Sequence, residues 1–425
     1  MPSKYEQVLL QNRKSDRIAT LDEYRQSGGY QALTDVLKDY SHKDVQQAVM
    51  DSNLLGRGGA AFPTGMKLMS VADDASFPRY IVCNADEMEP GTFKDRVMIH
   101  ADPHMLIEGI IIAGYASLAE KGIIFIRPEY ENAARILERE IEIASKEGYL
   151  GKNILDSEYS LEIVVHRSAG RYICGEVTAL MNALMGKRPN PMKPPPYPTE
   201  KGLWDRPTVL SNVETFACIP HIIRNGGQWF KDLAKTETGA GTKIFSISGK
   251  VNKPGCYELP IGVRLSEIIE EYAGGMPAGC EYKACLPGGA STGFLPRQHY
   301  DIEMDFDALR NVGNRLGTGA IMVFDQKTCL VAATVNLIEF FARESCGWCT
   351  PCREGLPYIL DLLKRIEDGG GKPEYIPMLK TMSKSLWNAY CAFAPGAVAP
   401  VESLLEHFGD EVQEHITRKN CPFRQ

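Results

Sequence analysis

The sequence lacks the features that mark several large classes of protein. It has no block of consecutive basic residues, and 54 acidic residues outnumber 47 Lys and Arg, for a formal charge of -7. We therefore expect no nucleic acid partner, because such proteins need a basic surface along the phosphates. The most apolar stretch, residues 109–119, is shorter than the roughly 20 residues that span a bilayer, so we expect no membrane span.

Internal repeats and long low-complexity segments are also missing. The 425 residues are 44% hydrophobic and 24% charged, which is the composition of a folded globular protein. At roughly 150 residues per domain, this length predicts about three domains. Twelve cysteines are too few for a disulfide-stapled secreted scaffold, and the opening residues do not form an export signal. We expect a cytoplasmic protein with reduced cysteines.

The first part of the chain alternates strand-like and helix-like segments. Residues 79–83 and 122–126 are short, apolar and rich in β-branched side chains, which is typical of buried strands. Residues 130–146 have the spacing of an amphipathic helix. The alternation predicts an α/β domain with a largely parallel sheet over residues 1–240.

Two smaller domains are predicted beyond that point. Strand-like residues 243–248 and 256–259, with helix-like residues 265–272, indicate a small α+β domain over residues 241–326. The rest of the chain, residues 327–425, has helical spacing and predicts a helical bundle. Its predicted helices are 332–343, 356–366, 376–390 and 401–415.

The sharpest motif is a cysteine at every third residue. Cys346, Cys349 and Cys352 let one compact loop hold three corners of a cubane iron-sulfur cluster. Cys391 is the candidate fourth ligand, because it follows two predicted helices that return the chain to the same place. Two alternatives remain. One is structural zinc, although such a site usually takes two separated ligand pairs, and the other is a packing role for the three thiols. The remaining cysteines are scattered singly, which usually indicates small buried hydrophobes.

A glycine-rich segment, residues 56–65, is followed by Lys67. Glycines let backbone N–H groups approach phosphate oxygens, and Arg57 or Lys67 would supply the countercharge. The segment is neither a Walker loop nor a regular G-x-G-x-x-G fingerprint, so an ordinary turn is the alternative. The candidate glycines are Gly56, Gly58, Gly59 and Gly65.

Polar residues follow the strand-like segment at 79–83, where ligands bind in open α/β sheets. Carboxylate and amide groups at this place hold ribityl or ribose hydroxyls, and a solvated acidic turn is the alternative. These candidates are Asn84, Asp86, Glu87 and Glu89. A further set of candidate ligand-binding residues lies later in the chain, where core packing or helix capping would equally explain each residue. It consists of Tyr172, Gly175, Glu176, Val177, Asn212 and Thr215.

In this order, the motifs resemble the NADH-binding flavoprotein subunit of respiratory complex I, which is called its F subunit in bacteria. The resemblance covers nearly the whole chain, and residues 344–355 are highly specific to that family and its relatives. It implies an FMN-binding Rossmann-like domain, a ubiquitin-like β-grasp domain and a helical bundle that carries one [4Fe-4S] cluster. It implies hydride transfer from NADH to FMN and single-electron transfer to the cluster, toward quinone, with no catalytic acid or base.

The resemblance also implies roles for single residues. The 56–65 loop and Lys67 would serve the nucleotide and the FMN phosphate, Phe62 would stack on the NADH adenine, and Glu89 would lie beside the nicotinamide nucleotide. The implied FMN contacts are Asn84, Asp86, Glu87, Tyr172, Gly175, Glu176, Asn212 and Thr215. The implied partners are the thioredoxin-like [2Fe-2S] subunit and the large iron-sulfur subunit of complex I, peripheral to the inner membrane.

Three positions depart from the family pattern. Val177 replaces the second glutamate of C-G-E-E-T, Pro194 stands where a lysine is usual, and Ser211 replaces the first of two asparagines. The missing carboxylate would accept hydrogen bonds from the NADH ribose, and losing such a bond costs roughly 1.5 to 3 kcal/mol. There are therefore two alternatives to an ordinary NADH dehydrogenase. One is an enzyme with relaxed NAD(P)H specificity, and the other is a relay or structural subunit without nucleotide turnover.

Overall fold

The computed structural model describes residues 4–15 and 17–424. Residues 1–3, 16 and 425 of the predicted domains 1–240 and 327–425 lie outside the described residues. The amino-terminal part of the chain alternates helices with short strands. Its elements are α1 (Leu21–Gln26), α2 (Gln31–Asp39), α3 (His42–Asp51), α4 (Thr64–Met69), β1 (Tyr80–Ala85), α5 (Lys94–Ala101), α6 (Pro103–Ala116), β2 (Lys121–Ile126), α7 (Glu131–Lys146), β3 (Glu162–Arg167), α8 (Val177–Leu184), α9 (Pro198–Lys201), β4 (Thr208–Asn212), α10 (Val213–Asn225) and α11 (Gly227–Asp232).

Strands β1 to β4 form a parallel sheet, as the sequence predicts, and their order is β3-β2-β1-β4. Successive side chains of a strand point to opposite faces. Ile81 and Cys83 therefore join the core that α6 and α10 cover, while Val82 packs with Leu180 of α8 on the other face. Because β2 and β4 lie on opposite sides of β1, the crevice of this fold opens at the carboxyl ends of β1 and β4.

Helices α6 and α10 pack closely at Gly109. A Cβ atom at this position would lie 2.1 Å from the carbonyl oxygen of Phe216, a separation that forces the helices apart. We expect Gly109→Ala to cost about 2 kcal/mol of unfolding free energy and to lower the melting temperature by about 4 to 8 °C. Thermal unfolding beside an exposed-site control, Glu142→Ala, measures this effect. Equal melting temperatures for the two variants would show that the close approach is not needed.

The middle of the chain forms a second sheet in the order β6-β5-β9-β7-β8. The last strand lies at the centre, parallel to the first and antiparallel to the third, which is the strand order of a β-grasp fold. The predicted helix at 265–272 is present, and its second half, Ile268–Tyr272, is a π-helical turn. The elements are β5 (Thr242–Gly249), β6 (Gly255–Pro260), α12 (Leu265–Glu267), β7 (Tyr282–Leu286), β8 (Leu295–Pro296), α13 (Phe306–Asn311) and β9 (Ala320–Asp325).

The carboxyl-terminal part is a helical bundle, as predicted, but three helix limits differ from the sequence prediction. The prediction of one helix over 401–415 is wrong, because the backbone leaves the helical conformation at Phe408. The helix predicted from 356 begins earlier, with Pro351 in its first turn, and the helix predicted over 376–390 is shorter. The helices are α14 (Leu330–Glu344), α15 (Thr350–Glu367), α16 (Tyr375–Leu386), α17 (Phe393–His407) and α18 (Gly409–Arg418).

Across residues 4–15 and 17–424, no single helix is both long enough and apolar enough to cross a membrane. Helices α5 and α6 reach that length and composition only as a pair, which is bent by 101° at the break between them.

Candidate cofactor sites

The crevice of the first sheet collects the polar candidates that lie at the ends of β1 and β4. Asn84 and Asn212 are partners in the register of these two parallel strands. Asp86 and Glu87 follow β1 directly and are buried, at 4% and 6% exposure. The structure thus brings both groups of candidates to one edge of the sheet.

The glycine-rich loop lies across the end of β4. Its ends are joined by a hydrogen bond of 2.9 Å from the Gly56 N–H to the carbonyl of Phe62. A Cβ atom at Gly58 would lie 3.1 Å from Cβ of Asn212, so the backbone here approaches the strand end closely. Gly59 has a φ of +113°, a conformation that favours glycine. At Gly58 and Gly59 the loop therefore presents backbone without side chains toward the crevice.

Gly65 and Phe62 lie in different surroundings. Gly65 is buried in α4, and a Cβ atom there would lie 2.5 Å from Cα of Met50, so helix packing is sufficient reason for a glycine. The Phe62 side chain is 48% exposed and lies at the rim of the loop. An exposed aromatic ring next to a glycine loop is available for stacking on a flat ligand.

The two candidate countercharges differ in their partners. Arg57 is 1% exposed, and its Nη2 donates to the carbonyl oxygens of Ala240 (2.6 Å) and Thr242 (3.2 Å), so its guanidinium ties the loop to the start of β5. Lys67 donates from Nζ to the carbonyl oxygen of Leu210 at 2.8 Å. Burial lowers the pKa of Lys67 to about 8. A partly buried cation of this kind fits a bound anion, so Lys67 is the better candidate for a phosphate.

Asp86 has an acceptor without a partner. Its Oδ1 accepts a hydrogen bond of 2.7 Å from the Ser168 hydroxyl, whereas Oδ2 is buried and has no partner among the described residues. Burial raises the pKa of this carboxyl group to about 6. A buried acceptor that lacks a donor costs free energy, and ligand hydroxyls would relieve that cost. The ribityl chain of FMN carries such hydroxyls.

Other candidates at the crevice have their polar groups satisfied inside the protein. Glu87 accepts from the N–H of Asp95 (2.8 Å) and from the Tyr130 hydroxyl (3.0 Å), and burial raises its pKa to about 7. The Thr215 hydroxyl accepts from the Arg57 N–H at 2.8 Å. These two side chains position α5 and the glycine loop.

Asn212 belongs to a buried charge network that sequence reasoning missed. Its amide donates to Asp95 (2.7 Å) and its oxygen accepts from Lys94 (2.9 Å), which also pairs with Glu214 at 2.9 Å. Burial alone would raise the pKa of Glu214, but Lys243 and Lys94 hold it at about 2. No local sequence signal marks these residues, because the network joins β4, α5, α10 and β5.

Tyr172 and Glu89 connect the three parts of the chain. Glu89 accepts from the Tyr172 hydroxyl at 2.6 Å and from the N–H of Ser291, in the β-grasp part, at 2.7 Å. The Tyr172 ring packs edge-on against Phe341 and Phe393 of the helical bundle. Glu89, whose pKa burial raises, thus lies where the crevice meets the other two domains.

Residues 175–177 lead into α8, whose first residue is Val177. The Glu176 carboxylate accepts from the Ala179 N–H at 2.9 Å and caps the helix, and Gly175 accepts a hydrogen bond of 3.3 Å from the Asn84 amide. No described atom outside the immediate backbone lies within 4 Å of a Cβ built at Gly175, so open space faces it. Val177 is partly buried and packs on the core that Cys391 also contacts.

The four predicted cluster ligands line one pocket. Cys346 and Cys349 lie in the loop before α15, Cys352 is in the first turn of α15, and Cys391 is in the turn before α17. Burial raises the pKa of Cys352 to about 12, to which the other three thiols contribute, and that of Cys391 to about 11. Thiolates therefore need a cationic group between them, as an iron-sulfur cluster provides.

Comparison with protein families matches three successive segments of the chain. Residues 49–221 match the Nuo51 FMN-binding domain, residues 244–295 the SLBB domain, and residues 332–415 the iron-sulfur binding region of NADH-ubiquinone oxidoreductase-F. The first match contains the glycine-rich loop and the crevice residues, and the third contains the four-cysteine pocket. The matches therefore agree with the division of the fold into an FMN domain, a β-grasp domain and an iron-sulfur bundle.

Curated relatives are similar along nearly their whole length. The F 2 subunit of NADH-quinone oxidoreductase in Rhizobium meliloti (strain 1021) is 45% identical over 99% of this chain and 100% of its own length. The F subunit of NADH-quinone oxidoreductase in Escherichia coli (strain K12) is 46% identical over 93% of this chain and 89% of its own length. Among solved structures, an NAD+-reducing [NiFe]-hydrogenase in the H2-reduced state superposes with a TM-score of 0.82 and 32% identity, over 96% of this chain and 67% of that chain.

Proposed function

This chain belongs to the family of NADH-quinone oxidoreductase F subunits, and we propose that it is the electron-input component of complex I, whose electrons go on to quinone. The observation that carries the proposal is the adjacency of the two cofactor sites. Tyr172, which donates a hydrogen bond to Glu89 in the crevice, packs against Phe393, and both Phe393 and Ile173 line the four-cysteine pocket. Glu176 is near enough to Cys391 for its charge to act on that thiol. Electrons therefore have a short path from the crevice to the cluster.

When bound, FMN accepts hydride from NADH and releases electrons one at a time. The protein supplies position and electrostatics. We propose that Lys67 and the N–H groups of Gly58 and Gly59 bind its phosphate, since the Gly56 N–H is already bonded to the Phe62 carbonyl. Asp86 Oδ2 accepts hydrogen bonds from the ribityl hydroxyls, assisted by Asn84. These groups fit because Lys67 is a partly buried cation and Asp86 Oδ2 is a buried acceptor without a partner among the described residues.

The nicotinamide nucleotide enters from the open side of the crevice in this proposal. Phe62 stacks on the adenine, and Glu89, fixed by Tyr172 and Ser291, orients the nicotinamide end. Open space faces Gly175 just before α8, and Glu176, the next residue, caps that helix. The remaining candidates act by position: Arg57, Glu87, Asn212 and Thr215 hold the loop and α5 in place through the hydrogen bonds described above.

The order of electron transfer tests this function. Rapid mixing of the flavin-loaded and cluster-loaded protein with NADH should bleach the flavin first, after which the cluster signal appears in electron paramagnetic resonance spectra. A cluster signal that precedes flavin bleaching would contradict the path. No bleaching by either nicotinamide would favour the relay alternative, which the loss of usual nucleotide contacts at Val177 and Pro194 motivates.

The Val177 position sets the preference for NADH over NADPH in this proposal. Val177 is the first residue of α8 and partly buried, so a carboxylate there would lie at the positive end of the helix dipole. We expect Val177→Glu to raise the NADH-to-NADPH ratio of kcat/KM by about tenfold or more, because the carboxylate binds the ribose and repels a 2′-phosphate. Steady-state rates with both nucleotides measure the ratio.

Val177→Gln is the matched control, since it has the same size without the charge. A ratio that rises equally in both variants would assign the effect to hydrogen bonding alone. An unchanged ratio in Val177→Glu would remove this position from nucleotide discrimination.

Partners of complex I would dock around the cluster. Trp348 and Trp387 are 58% and 60% exposed, although large aromatic side chains are usually buried in proteins. Exposed aromatic residues are enriched at protein interfaces. We propose that the thioredoxin-like [2Fe-2S] subunit and the large iron-sulfur subunit cover this surface, in the cytoplasmic arm peripheral to the inner membrane.

We propose the domain limits 1–240, 241–326 and 327–425, which separate the two sheets and the bundle.

A further inference from the structure

A second group of metal-binding side chains lies in the helical bundle. Cys329, Glu367, His415 and Cys421 direct one ligand atom each toward a common centre, and these atoms all lie within 4.8 Å of one another. Three of the four residues are buried, with His415 at 0%, Cys421 at 2% and Glu367 at 6% exposure. From the sequence alone, singly scattered cysteines are interpreted as small buried hydrophobes. Cys329 and Cys421 instead lie beside a carboxylate and an imidazole.

This group is remote from the four-cysteine pocket. Cys329 directly precedes α14, whereas Cys346 follows its other end, and a helix of that length spans roughly 20 Å. Glu367 is the last residue of α15, whereas Cys352 is in its first turn. The two groups of thiols therefore lie at opposite ends of the bundle.

The distances are those of a tetrahedral metal site. Zinc bonds of roughly 2.0 to 2.3 Å place neighbouring donor atoms about 3.3 to 3.8 Å apart. Sγ of Cys329 lies 3.3 Å from Oε2 of Glu367 and 3.3 Å from Nε2 of His415. The same Glu367 oxygen lies 3.1 Å from Nε2 of His415. Three donors thus already have the spacing of one face of a tetrahedron, and the Cys421 sulfur lies within 4.8 Å of each of them.

Each ligand is oriented by a neighbour, as in metal sites. Nδ1 of His415 donates to the carbonyl oxygen of Glu411 at 2.8 Å, which leaves Nε2 as the acceptor that faces the centre. Arg424 pairs with Oε1 of Glu367 at 3.1 Å and leaves Oε2 toward the centre. Sγ of Cys329 accepts from the Ala332 N–H at 3.2 Å, a contact that favours a thiolate at the start of α14.

We propose that Cys329, Glu367, His415 and Cys421 bind one zinc ion. Two thiolates, an imidazole and a carboxylate in a tetrahedral arrangement are a donor set that zinc prefers. Binding displaces the two thiol protons to solvent and leaves a net charge of -1, which Arg424 offsets. The ion fastens the start of α14 and the end of α15 to α18 and the segment after it, at the end of the bundle that faces away from the cluster.

Elemental analysis of the protein loaded with FMN and its cluster tests the proposal. We expect about one zinc per chain in addition to the cluster iron. X-ray absorption at the zinc edge should show two sulfur ligands at about 2.3 Å and two nitrogen or oxygen ligands at about 2.0 Å. Zinc with four sulfur ligands would instead occupy the four-cysteine pocket and would contradict the proposal. Neither measurement depends on NADH turnover, so its result is separate from that of the proposed function.

Substitutions place the ion. We expect Cys421→Ser and Cys329→Ser each to speed the loss of zinc to a chelator by about tenfold or more, while iron and FMN contents stay at the wild-type level. Unchanged iron and FMN contents show that the variants are folded. Cys280→Ser, which removes a cysteine outside both groups, is the control and should lose zinc at the wild-type rate.

Two results would overturn the proposal. One is wild-type protein, purified in zinc-containing medium, that holds iron and FMN without zinc. The other is a disulfide between Cys329 and Cys421, found by mass spectrometry without reductant, in place of the metal.

Discussion

Replacing Cys352 with serine is expected to remove the iron-sulfur cluster and to stop electron flow beyond the flavin. Cys352 is 6% exposed and lies in the first turn of α15, where it shares one pocket with Cys346, Cys349 and Cys391. A cubane cluster needs four protein ligands, and the serine hydroxyl is a far weaker ligand for iron than a thiolate. Iron content and NADH-dependent quinone reduction in the assembled complex should both fall to background, while NADH still bleaches the bound flavin.

Cys280→Ser is the matched control, because Cys280 is a partly exposed free cysteine outside the pocket. This variant should keep the iron content and quinone reduction of the wild-type protein. Wild-type iron content in Cys352→Ser would show that Cys352 is not a ligand. Zinc in place of iron in the wild-type pocket would support the zinc alternative that the sequence left open.

Replacing Lys67 with methionine is expected to weaken FMN binding by about ten- to a hundredfold. Methionine keeps most of the side-chain volume and removes the charge, and a hydrogen bond to a charged group contributes roughly 1.5 to 3 kcal/mol. Because Arg57 is bonded to the carbonyls of Ala240 and Thr242, it does not replace the lost cation. Titration of apoprotein with FMN, followed by flavin fluorescence, measures the affinity, and exposed Lys152→Met is the control.

The same titration has a pH dependence that identifies the group. Burial lowers the pKa of Lys67 to about 8 in the protein without ligand. The protonated lysine binds the FMN phosphate, so wild-type affinity should decrease as the pH rises from below 8 to above 8. Lys67→Met should lack this decrease, because it carries no titrating group. An equal decrease in both proteins would assign the pH dependence to another residue.

The sequence predicts those parts of the two cofactor sites whose residues are close together in the chain. Three cysteines at every third residue and the polar residues after β1 belong to single turns of backbone, so spacing alone brings them together. Parallel pairing of β1 with β4 brings Asn84 to Asn212, and the sequence did not predict this adjacency, because neither β4 nor the order of the strands was identified from it. The β-grasp domain agrees with what the family resemblance implies, whereas spacing gave no expectation for the order of the strands.

The spacing of residues in the sequence does not predict features that depend on contacts between distant parts of the chain. Sequence reasoning offered Arg57 as a phosphate ligand, yet its guanidinium bonds to carbonyls more than 180 residues away in sequence. The break at Phe408 interrupts an apolar pattern that continues across it, so the sequence predicted a single helix. Cys329 and His415 are 86 residues apart, and only the packing of α18 against α14 and α15 brings them together.

Anaerobic visible spectroscopy tests the central claim most directly. The protein, purified with its partner subunits and loaded with FMN and the cluster, is titrated separately with NADH and NADPH. We predict that NADH bleaches the flavin absorbance and then the cluster absorbance, in the amounts that two electrons per NADH require. Parallel bleaching by NADPH would identify Val177 as a relaxation of specificity. No bleaching by either nucleotide, with both cofactors present, would contradict the electron-input function.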